Sequence, residues 1–100
     1  MRIGTTPTHI LTLPFDTETI AKVRVTYAQR DAIVLERTED DCRLEGNAII
    51  VELSQEETLK FDVNEYVKLQ VKVLTKEGKI LISNKMRFSV WDALHKEVLL

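Results

Sequence analysis

The chain has 100 residues, 44% hydrophobic and 30% charged, with a formal net charge of −2, a length that suits one domain with one modest core. No apolar run approaches the ~20 residues of a membrane-spanning helix. Met1 to Thr8 lacks the charged-then-apolar order of a signal peptide, and three Gly with two Pro are too few for a disordered or collagen-like chain.

The dominant hydrophobic period is two, the period of a strand with one buried face. Leu11, Leu13 and Phe15 alternate with Thr12 and Pro14, predicting a strand over residues 8–15. Asp16 to Thr19 reads as a turn with Asp16 as its cap. Val23, Val25 and Tyr27 alternate with Lys22, Arg24 and Thr26, a second strand with one wet face. Gln29, Arg30 and Asp31 turn the chain into a third strand over 32–37, and Glu39, Asp40 and Asp41 form an acidic loop. A short strand over 42–45 reaches Gly46-Asn47, a hairpin signal, after which Ile49, Val51 and Leu53 alternate with Ala48, Ile50 and Glu52.

Ser54-Gln55-Glu56-Glu57 is a capping box. Ser54 accepts from the Glu57 amide while the Glu57 carboxylate reaches back to the Ser54 amide, so a short helix should start after Ser54 and end near Lys60. Leu59 or Phe61 then plugs one end of the core. Residues 62–65 turn into the strongest strand, where Val67, Leu69, Val71 and Val73 alternate with Lys68, Gln70 and Lys72. Gly78 supplies positive φ to the next hairpin. The last strand is expected from Ile80 to about Val90, with Met86, Phe88 and Val90 facing inward and a bulge at Asn84. After Val90 the pattern changes: Trp91, Leu94 and Val98 share one helical face. Residues 1–90 thus read as the folded domain and 91–100 as an apolar tail or short helix.

Chemistry-bearing constellations are sparse. Cys42 is the sole cysteine, which leaves no disulfide and no cysteine zinc cluster. It alternates with Leu44 as a packed, inert thiol would, and folding in a reducing cytoplasm is expected. The Glu39–Asp40–Asp41 run lacks the alternate spacing and central Gly of a calcium loop, and His9 and His95 lack a ligand partner at helical spacing. There is no nucleophile elbow and no phosphate-cradling loop, so no enzyme and no cofactor are expected. Charge is more informative. Residues 1–65 carry seven Lys/Arg and thirteen Asp/Glu, whereas residues 66–100 carry seven and three. Lys68, Lys72, Lys85 and Arg87 fall on the outward phase of the final hairpin. Aromatic residues do not interleave with them as in a nucleic-acid surface, which leaves two readings: a solvated sheet face whose lysines discourage edge pairing, or a contact with a protein partner joined by complementary charge. Trp91, Leu94 and Val98 complete the candidate contact set, packing either on the sandwich or on another subunit.

Two stretches carry a family resemblance. Thr5-Thr6-Pro7-Thr8-His9-Ile10-Leu11-Thr12-Leu13-Pro14-Phe15-Asp16, followed by Val23-Arg24-Val25-Thr26-Tyr27, resembles small tail-region proteins of Firmicutes prophages. Leu53-Ser54-Gln55-Glu56-Glu57-Thr58-Leu59-Lys60-Phe61, then Val67-Lys68-Leu69-Gln70-Val71-Lys72-Val73 and Gly78, is similar in strand–short helix–hairpin order to the N-terminal domain of phage baseplate upper proteins. The resemblance implies an immunoglobulin-like antiparallel β-sandwich and a virion structural role, an assembly or adaptor subunit attached to other tail or baseplate proteins or to itself. It implies no catalytic residues, no nucleic-acid or membrane partner, and residence in the host cytoplasm during assembly and in the virion thereafter. The other expectation open at this point is a cytoplasmic domain of phage or host that binds a peptide or protein by strand addition.

Overall fold

The computed structural model describes residues 1–83 and 85–90. They form β1 (Thr8–Thr12), β2 (Ile20–Gln29), β3 (Ala32–Thr38), β4 (Arg43–Glu45), β5 (Ala48–Glu52), β6 (Val67–Thr75), β7 (Ile80–Ile82) and β8 (Met86–Phe88), with one helical turn, α1 (Gln55–Thr58), between β5 and β6. One antiparallel sheet has the order β1–β5–β4. The other runs β3–β2–β6–β7, with β8 also paired to β6. The fold is therefore an all-β sandwich, as the alternating pattern predicts.

Between the sheets lies one core. The small sheet contributes Leu11, Ile49 and Val51. The large sheet contributes Val23, Val25, Tyr27, Leu35, Val67, Leu69, Val71 and Val73. β-Branched residues dominate because their stiff side chains pack well on a pleated surface. Ile3, Leu53, Phe61 and Val90 close the ends; of the two residues expected to plug the core, Phe61 is buried and Leu59 only partly so.

Local chemistry sets the corners. The capping box forms as read: Glu57 N donates to Ser54 Oγ at 3.1 Å and Ser54 N to Glu57 Oε1 at 2.9 Å. The helix is shorter than expected, ending at Thr58. Gly46 and Gly78 sit at φ of 56° and 89° in their hairpins, a region that costs glycine nothing. Arg30 adopts φ of 56° at the β2–β3 turn and ion-pairs with Asp62 and Glu65. The acidic loop is a 3₁₀ turn over Glu39–Asp41, where the Asp41 carboxylate accepts from both the amide and the hydroxyl of Thr38.

Two expectations are corrected. The first strand ends at Thr12 rather than Phe15, because Pro14 has no N–H to continue a ladder and Leu13 turns to Asn47 instead. The last strand is two short ones. β6 pairs Lys72 with Ile82 but Leu69 with Met86, so three residues, 83–85, stand opposite two, Gln70 and Val71. That extra residue is a bulge, and Ser83 fills it: its backbone N donates to Val71 O and its Oγ accepts from Val71 N, both at 2.9 Å. Asn84, where the bulge was expected, lies outside the described residues. Met86 is exposed rather than buried, since its strand lies at the rim of the sheet, while Phe88 reaches the core and Val90 is buried.

Candidate protein-contact surface

The outward face of the large sheet gathers the basic residues. Lys68 stands directly opposite Arg87 across β6–β8 and opposite Ala28 across β2–β6. Lys72 stands opposite Arg24 on one side and Ile82 on the other. Lys85, in the bulge, joins Lys68, Gln70, Thr26 and Ala28 around one shallow depression. Lys22, Arg24 and Lys72 flank a second, of about 440 Å³, which spans the sheet from Thr38 to Ile80. The outward phase of the final hairpin therefore does bring Lys68, Lys72, Lys85 and Arg87 to one face. Trp91, Leu94 and Val98 lie outside the described residues.

Like charges directly opposite one another repel, and this face holds two such pairs, Lys68–Arg87 and Lys72–Arg24. Arg87 is moderated by Tyr66, whose ring centroid lies 4.7 Å from its guanidinium. Among the described residues, none of Lys22, Arg24, Lys68, Lys72 and Lys85 forms an ion pair, whereas Arg30, Arg37 and Arg43 all do. Among the described residues the cations of this face therefore lie unpaired, with Asp31, Glu36 and Glu39 confined to the β3 side of the face.

The sequence reading missed two parts of this surface. Lys22 and Arg24 belong to it, and their signal was present in the alternation of the second strand. The exposed isoleucines were not foreseen. Ile80 and Ile82 on β7 are 60% and 59% exposed, and Ile33 on β3 is 61% exposed. Leu81, on the opposite phase, is also exposed, so β7 is apolar on both faces. The small sheet exposes Ile10 beside the half-buried Ile50, without a comparable cluster of cations.

No protein-family model, curated protein or solved structure matches this chain.

The titratable groups of the interior serve packing. His9 Nδ1 and the Tyr27 hydroxyl share a 2.7 Å hydrogen bond, and both rings meet Phe88, with Phe61 edge-on to Tyr27. Burial, then the positive charge of the Met1 amino group, holds the His9 imidazole below its usual pKa. Burial, followed by the Cys42 thiol, pushes the Tyr27 phenol well up. A neutral imidazole therefore faces a neutral phenol. The Cys42 thiol is itself pushed up, by burial and then by Asp41, which keeps it protonated and poorly nucleophilic. No cluster of three His, Cys, Asp or Glu suited to a metal ion occurs among the described residues.

Proposed function

We propose that this chain is a non-enzymatic structural protein of a phage tail or baseplate, an assembly or adaptor subunit that acts through protein–protein contacts. The single observation that carries the contact role is the face of the large sheet, where cations that form no ion pair among the described residues lie beside exposed isoleucines. Apolar area supplies the driving force of association, and charge selects the partner and its orientation. The phage context rests on the resemblance of residues 5–90 to tail and baseplate proteins, and it puts the chain in the host cytoplasm during assembly and in the virion afterwards. The test is to induce phage production in the source cells, band the particles on a density gradient and probe each fraction for the chain. Co-sedimentation with tailed particles is expected, and a chain confined to the unsedimented fraction overturns the reading.

A second reading, a peptide- or protein-binding regulatory domain, is favoured by one observation, the apolar edge strand Ile80–Ile82. An open edge of this kind accepts an added strand. In that case the chain stays with a non-particle protein on the same gradient.

A further inference from the structure

Among the described residues both ends of the large sheet are open: β3 pairs only with β2, and β7 only with β6. Each edge also shows apolar side chains, Ile33 on one and Ile80, Leu81 and Ile82 on the other. A sheet with open apolar edges is a template for another strand, and the two edges here differ in charge. Along residues 31–41 lie Asp31, Glu36, Glu39, Asp40 and Asp41, with Arg37 as the sole cation, and Arg37 is already ion-paired to Glu57. Along residues 76–90 lie Lys76, Lys79, Lys85 and Arg87 against Glu77 alone.

We infer that copies of this chain join head to tail, β3 of one copy adding to β7 of the next so that the large sheet continues across the contact. The inference rests on the assembly reading above and names the partner as a second copy. Strand direction permits it. The path β3–β2–β6–β7 has an even number of antiparallel positions, so a copy displaced sideways presents its β3 antiparallel to β7, the arrangement in which backbone hydrogen bonds run straight. The register is equally specific. Thr38, Arg24, Lys72 and Ile82 are level across the sheet, so a level continuation sets Thr38 of the next copy beside Ile82. Glu36 of the next copy then approaches Lys85, and its Glu39–Asp41 turn approaches Ile80 and Lys79. Charge also rejects the symmetric alternatives. β7 against β7 brings two predominantly basic edges together, and β3 against β3 two predominantly acidic ones, both costly. The bulge after Ile82 limits the paired segment to β7, which makes each contact short and reversible. A head-to-tail contact closes into a ring or grows into an open chain.

The test is sedimentation of the full chain at concentrations up to about 1 mM, where even a millimolar contact is half populated, in about 0.05 M and about 0.5 M salt. Assembly beyond a dimer, weakened by salt, is expected. Glu36→Lys and Ile82→Glu are each expected to weaken self-assembly by at least about tenfold, through like charge at the contact. An equimolar mixture of the two is expected to form a heterodimer and go no further, because each variant keeps one native edge. Unfolding midpoints establish that both variants fold, and Lys85→Glu, at the exposed rim, replaces Ile82→Glu if that variant does not. A chain monomeric throughout overturns the inference, as does assembly of either variant alone at the native level, which marks a symmetric contact or another surface. A mixture that stays monomeric overturns it too. None of these results touches the gradient experiment, which alone decides the phage reading. A self-assembling chain missing from particles overturns that reading and leaves this inference standing.

Discussion

β2 and β6 run against each other over nine paired positions, whereas β1 and β5 share five and β4 and β5 three. The short ladders of the small sheet are supplemented by side chains. Thr17 directs both its amide and its hydroxyl to Gly46 O, Asn47 donates to Leu13 O, and buried Thr58 Oγ1 accepts from Gly4 N while donating to Gln55 O. On the large sheet such clips lie at the margins: Gln29 bonds the backbone of Asp62 and Glu65, and Gln70 and Ser83 tie β6 to the bulge. The long β2–β6 ladder holds the centre, and among the described residues the outer-face lysines Lys22, Lys68, Lys72 and Lys85 form no ion pair. Polar side chains that hold a fold together are poor candidates for recognition, and these lysines lie apart from the clips that brace either sheet.

The largest effect should come from Ile49→Ala, at the fully buried centre of the small sheet. A loss of about 2–5 kcal/mol is expected, seen in urea as a single transition shared by far-ultraviolet circular dichroism and the ring NMR signals of buried Tyr27. Two separated transitions would mean that the sheets do not share one core. Thr58→Val keeps the shape and removes the hydroxyl, leaving Gly4 N without its acceptor, at a cost of about 1–3 kcal/mol. Hydrogen exchange should quicken at the N-terminal segment and β1 while β2 and β6 amides stay protected; uniform quickening would erase the distinction between the sheets. Ser54→Ala should lower stability by about 1 kcal/mol through loss of the cap, and unchanged urea unfolding would show that the cap contributes nothing. The smallest effect concerns His9. Its folded pKa is lowered, so the unfolded chain binds more protons between the folded value and about 6.5, and stability rises with pH through that window. Stability is fully present above the ordinary imidazole pKa and falls as the medium is acidified. Protonation also makes both ring nitrogens donors, so the Tyr27 hydroxyl can then only accept from Nδ1. His9→Gln should flatten this part of the stability–pH curve, and an unaltered slope would assign it to other groups.

Much of the fold was legible because its signals are local. The alternation around Val23, Val25 and Tyr27 and around Val67 to Val73 marks the two central strands, and the Ser54–Glu57 spacing marks the helix start. Pairing was less accessible, since β1–β5 and β2–β6 join segments far apart in the chain. The division of the last strand depends on its register against β6, which no window of sequence contains. The candidate surface was half legible. Lys68, Lys72 and Arg87 follow from alternation, but Ile80-Leu81-Ile82 has no alternation to say which side chain faces out. Their exposure follows from β7 lying at the end of the sheet, where the core no longer reaches.

The Glu57 carboxylate has two allegiances. It closes the capping box on Ser54 and also ion-pairs with Arg37 from β3, both side chains largely shielded from water. The start of the helix and the acidic edge of the large sheet thus share one anion, and substitutions at positions 37, 54 and 57 cannot be independent. A neutral residue at Arg37 leaves Glu57 charged and half-buried, which favours a later loss of that charge, whereas Ser54 still caps the backbone amide of residue 57 whatever its side chain. Sequence change through this corner therefore has a preferred order, and descendants of this chain that lose Glu57 should already have lost Arg37 while keeping Ser54.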